Sequence, residues 1–313
     1  MEKEFRAGYA ALLGLPNVGK STLLNALLRQ KLAIMSRKPQ TTRHRLLAIL
    51  SRDDCQIVFF DTPGIHKPKD ALHQFMTHEI NRALEDVDVA VVMIEPTLIH
   101  HKSSENIDEF KKVLKYIKVP IILAVNKIDT VNESQMKNIN KFCVDFAPNA
   151  ESVQFISALN KTGIEGLLAG IKSVLPISPP YFPPEQVTNQ TERFIASELI
   201  REQVFHFTHH EIPYSSAVSI EEMKDPRELA GDPLGSMPKG KKVLIRATIH
   251  VESDSQKGIV IGKGGAMLKR IGSESRKEIE DLLDAPVFLE LWVKVKKNWR
   301  KKPEFLSQVG YRE

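Results

Sequence analysis

A glycine-rich segment near the start of the chain has the residue types and spacing of a phosphate-binding loop. Residues 14–21 read GLPNVGKS, which fits the pattern G-x-x-x-x-G-K-[ST] between a strand-like run and a helical pattern. Gly14 and Gly19 allow backbone N–H groups to turn inward onto phosphate, and the dipole of the following helix adds partial positive charge. Lys20 can reach the terminal phosphates, and the Ser21 hydroxyl is a ligand for Mg²⁺. The segment predicts a nucleoside triphosphate site.

The sequence NKID, residues 126–129, indicates which base is bound. It follows an apolar run, at the place where a doubly wound sheet holds its ligands. The Asp129 carboxylate can accept hydrogen bonds from N1–H and the 2-amino group of guanine. Adenine has neither donor, and a site built in this way rejects the wrong ligand by roughly 10⁴-fold. The expected ligands are GTP and GDP, and the segment SAL, residues 157–159, is placed to contact the guanine oxygen through its backbone.

Two further segments complete the phosphate end of the site. In DTPG, residues 61–64, Asp61 can hold Mg²⁺ through a water and Gly64 lets its N–H approach the γ-phosphate. The polar segment PQTTRHR, residues 39–45, supplies Thr41 and Thr42, and by spacing alone either hydroxyl can cap Mg²⁺ when the γ-phosphate is present.

These five segments, in this order, resemble those of the translation-factor-like GTPases. The resemblance favours Thr42 over Thr41. It implies Lys20, Thr42 and Gly64 as catalytic residues, and Ser21, Thr42 and, through a water, Asp61 as the metal site. The expected nucleotide-binding residues are Gly14, Leu15, Pro16, Asn17, Val18, Gly19, Lys20, Ser21, Thr22, Asp61, Thr62, Pro63, Gly64, Ile65, Asn126, Lys127, Asp129, Ser157 and Ala158. Ile65 stands where Ras-type enzymes carry a water-orienting glutamine, so intrinsic turnover should be slow.

A second glycine loop, residues 262–265 with the sequence GKGG, has a different chemistry. It lacks Ser or Thr after its lysine, follows the apolar run 259–261 and precedes a helical pattern. It resembles the G-x-x-G loop of a KH domain, which clamps the backbone of about four single-stranded nucleotides. The expected RNA-binding residues are Gly262, Lys263, Gly264, Gly265, Lys269 and Arg270, with Lys296 and Lys297 from the run Lys294–Lys302, which holds six basic residues and no acid. Part of the apolar surface, from 259–261 and Ile271, is expected to support bases.

The patterns around these motifs predict two domains. In the first 175 residues, short apolar runs alternate with helical patterns, which indicates βαβ units and an α/β doubly wound sheet. A proline-rich stretch follows, and the later patterns have the order α-β-β-α-α-β, interrupted by a long loop at 224–242. We therefore predict a P-loop GTPase domain at 1–176, a linker at 177–188, and a smaller α+β KH domain of type II with a basic tail at 189–313.

Composition narrows the class of protein further. The chain has 313 residues, a net charge of +5 and two cysteines, which favours a globular protein of a reducing cytosol over a disulfide framework. No apolar run approaches the length of a membrane span, and the N-terminus lacks a secretory signal pattern.

Over nearly its full length the chain resembles the bacterial Era family of GTPases. The matching segments are GLPNVGKSTLLNALL, SRKPQTTRHR, DTPGIHKP, AVNKID, FIASELIRE, APVFLELWVKVKKNW and VGYRE. The resemblance implies a monomeric cytoplasmic GTPase that binds the 3′ end of 16S ribosomal RNA, assists small-subunit assembly and makes peripheral contact with the inner membrane. The alternative is an RNA-binding adaptor in which nucleotide is only a structural ligand. The intact set of Lys20, Asp61 and Thr42 favours the GTPase.

Overall fold

The structure, a computed structural model, describes residues 4–36, 38–100, 105–229 and 237–311. Its internal contacts divide the chain into two compact units, Met1–Lys69 with His73–Asn189, and Asp70–Leu72 with Gln190–Glu313. Three parts of the sequence discussed above lie outside the described residues: Arg37 of the threonine-bearing segment, residues 230–236 of the long loop, and residues 312–313 of VGYRE.

The first unit is built on a six-stranded sheet with the order β2-β3-β1-β4-β5-β6. The strands are β1 (Arg6–Gly14), β2 (Leu46–Arg52), β3 (Cys55–Asp61), β4 (Val89–Ile94), β5 (Ile121–Val125) and β6 (Ala150–Phe155). The helices are α1 (Lys20–Leu28), α2 (Ala71–Glu85), α3 (Glu105–Tyr116), α4 (Glu133–Phe146) and α5 (Ile164–Val174). Every residue of β3 and β4 is buried, as expected for strands covered on both faces. The predicted doubly wound fold is confirmed.

The sheet is mixed, because β2 runs antiparallel to β3. The sequence analysis did not predict β2. The run LLAILSR has no strict alternation and its strand lies at the sheet edge, so its burial pattern is irregular. The Asp53–Asp54 turn between two short apolar runs is the signal that indicates a hairpin here. The other five strands of the sheet pair in parallel, which brings the carboxyl ends of β1, β3, β4, β5 and β6 to one edge.

Apolar residues of the sheet and of the helices that cover it form the core of the first unit. Strand residues such as Leu13 and Leu123 pack with helix residues such as Phe110 and Ile139, all of them at most 1% exposed. The two cysteines are buried free thiols, and burial raises the pKa of Cys143 to about 11. They are core residues and not reactive groups.

The proline-rich segment 177–188 belongs to the first unit and is hydrogen-bonded to its sheet. The Gln56 side chain accepts from the backbone N–H groups of Tyr181 and Phe182 at 2.7 and 3.0 Å and donates to the Phe182 carbonyl at 2.8 Å. Further along, Ile49 N in the edge strand β2 donates to Val187 O at 2.9 Å. A segment without regular structure is thereby held in place at several points.

The second unit has a three-stranded sheet with the order β7-β8-β9, in which β7 and β8 are antiparallel and β8 and β9 parallel. Its elements are α6 (Glu192–Phe207), β7 (Ala217–Lys224), α7 (Pro226–Leu229), β8 (Val243–Val251), α8 (Asp254–Ile261), α9 (Ala266–Leu283), β9 (Val287–Val295) and α10 (Pro303–Gln308). The predicted order α-β-β-α-α-β is confirmed, with two short helices added, α7 after β7 and α10 after β9.

A buried tryptophan anchors the C-terminal segment. Trp299 is fully buried, donates from Nε1 to Ser215 O at 2.8 Å and stacks on Tyr311 with ring centroids 6.1 Å apart. The basic run 294–302 is therefore not a uniform solvated stretch, because Trp299 within it belongs to the core.

Among the described residues, none of the helices combines the length and the apolar character needed to cross a lipid bilayer.

Candidate functional sites

The first glycine loop joins the end of β1 to the start of α1. Gly19 has φ 104°, and a Cβ at this position would lie 2.2 Å from Asn126 Nδ2, so any other residue would be strained and would displace the Asn126 side chain. A Cβ on Gly64 would lie 2.7 Å from Pro16 Cα, and Ile65 N donates to Gly14 O at 3.1 Å. These close approaches bring DTPG against the loop, as the predicted phosphate site requires.

Lys20 folds back over the loop that precedes it. Its Nζ donates to Gly14 O at 3.1 Å and to Leu15 O at 3.2 Å, and its side chain is buried. Burial lowers the pKa of Lys20 to about 8, and the nearby Asp61 opposes that shift. The ammonium group is thus held at the loop, where a negatively charged phosphate would stabilise its charge.

Three oxygen-bearing side chains meet beside the loop and fit a magnesium ion. Ser21 Oγ donates to Asp61 Oδ2 at 2.7 Å and lies 2.9 Å from Thr42 Oγ1, which is 3.3 Å from the same carboxylate oxygen. Asp61 Oδ1 is buried and has no hydrogen-bond partner among the described residues, and burial raises the pKa of this carboxyl group. A buried carboxylate oxygen without a hydrogen-bond partner raises the free energy of the folded protein unless a cation pairs with it. One carboxylate and two hydroxyls suit Mg²⁺, which keeps its remaining positions for water and phosphate.

The hydrogen bonds of Thr41 and Thr42 also distinguish the two threonines as candidate metal ligands. Thr41 Oγ1 donates to Lys38 O at 2.8 Å, within its own loop, whereas Thr42 Oγ1 contacts Ser21 and Asp61. This placement supports Thr42 as the metal ligand. That its contact depends on the γ-phosphate stays a prediction.

The base end of the site is held together by Asn126. Its Nδ2 donates to Val18 O at 2.8 Å, and its Oδ1 accepts from Ala158 N at 2.9 Å. One side chain therefore links the phosphate loop to the SAL segment and positions both. Ser157 and Thr162 exchange backbone hydrogen bonds at 3.0 and 3.1 Å, which closes SAL into a tight loop.

Asp129 lies in a short turn after β5, and its side chain is exposed. The turn begins at Lys127, which has φ 66° and forms an ion pair with Glu95 at the end of β4. Glu95 was not found from the sequence, because a single acid after an apolar strand carries no signal of its partner. The pair orients the turn that presents Asp129 on the ligand edge of the sheet.

Ile65 is buried in the hydrophobic core of the first unit at 1% exposure. Its side chain has no polar atom, so that side chain cannot orient a water molecule for hydrolysis. This is the physical basis of the slow turnover expected from the sequence.

The second glycine loop connects α8 to α9 in the second unit. A Cβ on Gly262 would lie 2.6 Å from Met267 Cβ, so this glycine is required for packing. Gly264 and Gly265 have φ of 59° and 80°, and an added Cβ would have no neighbour within 4 Å among the described residues. Lys263 is exposed between them and Gly262. Gly262 is therefore needed for packing, whereas Gly264 and Gly265 leave the backbone accessible to a ligand.

A groove of about 430 Å³ lies between α9 and β9. Its lining includes Gly265 of the loop, the predicted Lys269, and further residues that the sequence analysis missed: Lys242, Leu268, Gly272, Ser273, Arg276, Val287, Phe288, Leu289 and Leu291. On the helix, the spacing of Lys269, Ser273 and Arg276 places them on one face, which is the signal that could have found them. No local pattern reveals the residues that β9 contributes across the groove.

Other predicted RNA-binding residues lie away from this groove. The Arg270 guanidinium stacks over Phe207 at 4.2 Å from the ring centroid, and Arg270 does not line the groove. Ile271 is fully buried in the core, so it is not a base platform, whereas Ile259 is 52% exposed on α8. Helix geometry turns adjacent residues by about 100°, which explains why neighbours of Lys269 face other surroundings.

Lys296 and Lys297 are exposed just after β9. The Lys296 ammonium group lies 5.1 Å from the centroid of the Phe305 ring. Both side chains present charge at the surface, which suits contact with phosphates but gives no means of reading a base.

Two family descriptions match the chain. The description "50S ribosome-binding GTPase" matches residues 9–127, and the description "KH domain" matches residues 211–300.

Named relatives match the chain over nearly its whole length. It is 45% identical to GTPase Era of Lactobacillus helveticus, covering 99% of this chain and 97% of that protein. It is 43% identical to GTPase Era of Carboxydothermus hydrogenoformans, covering 99% of each. Among solved structures, an Aquifex aeolicus Era variant bound to GDP–AlF₄⁻ has a TM-score of 0.90 at 35% identity, covering 99% of this chain and all of that one. A structure of Era with MgGDPNP and nucleotides 1506–1542 of 16S ribosomal RNA has a TM-score of 0.90 at 36% identity and the same coverage.

Proposed function

The chain belongs to the Era family of GTPases, and on that premise we propose that GTP controls its binding to the 3′ end of 16S ribosomal RNA during assembly of the small ribosomal subunit. One observation carries the proposal. The chain combines side chains arranged to bind phosphate and Mg²⁺ with a second glycine loop whose backbone is open beside a groove. The relative solved with 16S ribosomal RNA matches both parts of the chain.

The protein is a GTPase that uses Mg²⁺ and converts GTP to GDP and phosphate. The proposed roles follow from the geometry. Ser21, Thr42 and, through a water, Asp61 would hold Mg²⁺, which supplies positive charge to the phosphates when bound. Lys20 would stabilise charge on the terminal phosphates, and the backbone N–H of Gly64 would contact the γ-phosphate.

The remaining nucleotide contacts follow the same logic. Residues 14–22 would wrap the phosphates with backbone N–H groups, Asp129 would accept from guanine, and Ser157 and Ala158 would contact its oxygen. Residues 62–65 would complete the γ-phosphate side, and Asn126 with Lys127 would hold the base loops in position.

We assign the RNA site to the second glycine loop and the groove beside it. Gly264 and Gly265 allow the sugar–phosphate backbone to come close, and Lys263 and Lys269 add charge. The domain division that goes with this assignment is a GTPase domain at 1–176, a connecting segment at 177–188 and a KH domain at 189–313. The two matched ranges, 9–127 and 211–300, support it.

The proposed setting is the cytoplasm, with the protein acting as a monomer on the small ribosomal subunit and making peripheral contact with the inner membrane. The membrane contact and the monomeric state rest on the resemblance to the family. The sequence supports the cytoplasm through its two cysteines, which the structure places as buried free thiols.

GTP turnover with and without a 3′-terminal fragment of 16S ribosomal RNA tests the proposal. We expect slow turnover by the protein alone and faster turnover with the RNA, measured as phosphate release. A variant with Lys263→Asp and Gly264→Asp is the control, since it should keep the basal rate and lose the response. An equal rate of GTP turnover with and without bound RNA would contradict the proposed coupling between the GTP site and the RNA site.

The lysines after β9 should contribute charge without base choice. Replacing Lys296 and Lys297 with alanine should weaken binding of all single-stranded RNA sequences alike. It should also flatten the salt dependence by roughly 0.7 in log–log slope for each phosphate that the protein no longer neutralises. Titrations over a range of salt concentrations measure the slope.

A matched control for that variant is the pair Lys111→Ala and Lys115→Ala, two exposed lysines on α3 in the first unit. The control removes the same charge and should leave both affinity and slope unchanged. An equal effect of both variants would mean that only net charge matters.

A further inference from the structure

Two buried histidines lie beside the γ-phosphate end of the nucleotide site, and none of the roles proposed above uses them. His66 follows DTPG in the sequence and is 8% exposed, and His73 lies in the first turn of α2 and is 5% exposed. Their rings pack against each other with centroids 4.7 Å apart. Buried ring nitrogens raise the free energy of the folded protein unless they are hydrogen-bonded, so their partners indicate what the pair does.

Each histidine is hydrogen-bonded to a different segment of the site. His66 Nδ1 donates to Gly64 O at 2.9 Å, which fixes the peptide group after the residue assigned to the γ-phosphate. His73 Nε2 lies 3.0 Å from Gln40 Nε2, and because an amide nitrogen only donates, His73 is the acceptor. The histidine pair therefore joins DTPG to the threonine-bearing segment 39–45.

Two further contacts attach the threonine-bearing segment to α2. The His44 ring packs edge-on against the Phe75 ring with centroids 5.3 Å apart, and Arg45 N donates to Glu79 Oε2 at 2.7 Å. Both contacts follow Thr42 in the sequence, whereas the amide hydrogen bond to α2 precedes it. One helix therefore holds the segment on both sides of Thr42.

The backbone at Gln40 makes its side-chain hydrogen bond important. Gln40 has φ 62°, a left-handed conformation that is uncommon for glutamine and persists only where the surroundings hold it. It lies two residues before Thr42, whose hydroxyl is 2.9 Å from Ser21 Oγ. If the Gln40 side chain lost its partner, its backbone could relax, and the direction of the Thr42 hydroxyl would change with it.

We propose that His73 is a positioning residue for GTP hydrolysis. Through Gln40 it holds Thr42 where the threonine hydroxyl reaches the metal of the triphosphate complex. Through its ring contact with His66 it links that position to Gly64. The inference rests on the proposed function, since it extends the roles assigned there to the threonine and the glycine. Binding of GDP, which lacks the γ-phosphate, should not depend on His73.

The affinities for a non-hydrolysable GTP analogue and for GDP, both measured with Mg²⁺ on the full chain, test the proposal. His73→Phe keeps a ring against His66 but removes the acceptor for Gln40. It should bind the analogue about three- to tenfold more weakly than the parent, bind GDP like the parent, and lower kcat for GTP by a similar factor. His73→Gln can again accept a hydrogen bond and should retain most of the analogue affinity. His78→Ala, which removes an exposed histidine from the same helix, should change none of these values.

A double-mutant cycle separates positioning from a general effect on the fold. Gln40→Met removes the same hydrogen bond from the other side, so adding it to His73→Phe should weaken analogue binding no further. An unchanged analogue affinity in His73→Phe, additive losses, or equal losses for the analogue and GDP would overturn the proposal and leave His73 as a core residue. Thr42→Ala distinguishes that failure from failure of the proposed function. If Thr42→Ala also left the ratio of the two affinities unchanged, the assignment of the metal ligand itself would be rejected.

Discussion

Replacing Asp129 with asparagine should lower the affinity for GTP by roughly 10²- to 10⁴-fold, because the asparagine NH2 group would face a guanine donor in place of one hydrogen bond and the other hydrogen bond would lose its charged acceptor. The same change should raise the affinity for xanthosine triphosphate, since the asparagine amide can donate to the 2-oxo group that replaces the 2-amino group. Asp129 is exposed in the turn after β5, and asparagine has nearly the same shape, so the fold should be unaffected. Competition titrations with GTP, ATP and xanthosine triphosphate measure the exchange of specificity.

The control for this change is Asp145→Asn, which removes an exposed carboxylate from α4 in the same unit. It should bind GTP like the parent. GTP binding by Asp129→Asn at the parent's affinity would contradict the assignment of the base site, as would equal affinity of the parent for ATP and GTP.

The nucleotide site could be predicted because each of its parts is contiguous in the chain. A segment such as GLPNVGKS carries its own backbone geometry, and the position of Gly19 against Asn126 shows how closely that geometry is determined. Parallel strands then bring the segments to one edge of the sheet without further information. The choice between Thr41 and Thr42 did not follow from spacing, because adjacent hydroxyls differ only in the direction that the loop gives them.

The groove to which we assign RNA was less predictable because it joins elements that are distant in sequence. Its basic helix residues follow from the spacing around Lys269, but Phe288 enters only through the parallel pairing of β8 and β9. Arg270, adjacent to Lys269, is turned onto Phe207. The edge strand β2 was missed for a related reason, since an edge strand buried on one side has a weaker pattern than a central strand. The lining of the groove, the direction of Arg270 and the pairing of β2 all depend on contacts between elements that are separate in the sequence.

The largest decrease in RNA binding is expected from Lys263→Asp combined with Gly264→Asp. The pair replaces one positive charge with two negative charges at the tip of the loop. It also adds a side chain where phosphate must come close. The removal of charge-assisted hydrogen bonds, together with repulsion, should weaken binding of single-stranded RNA by roughly 10²-fold or more. Anisotropy titrations with a fluorescein-labelled 3′-terminal fragment of 16S ribosomal RNA measure it.

The structure indicates that this variant will fold. Gly264 has φ 59° and ψ 22°, a left-handed conformation that aspartate adopts more readily than most residues, and an added Cβ meets no described atom within 4 Å. Gly264→Asn is therefore the matched control, since it adds a side chain of the same size without charge and separates steric exclusion from repulsion. GTP affinity should stay unchanged, because the predicted nucleotide contacts all lie in the first unit. Unchanged emission from the buried Trp299 would verify the packing of the second unit. If the correctly folded double variant bound the RNA as tightly as the parent, the open glycines would be only a turn between α8 and α9, and the site would have to lie elsewhere on the second unit.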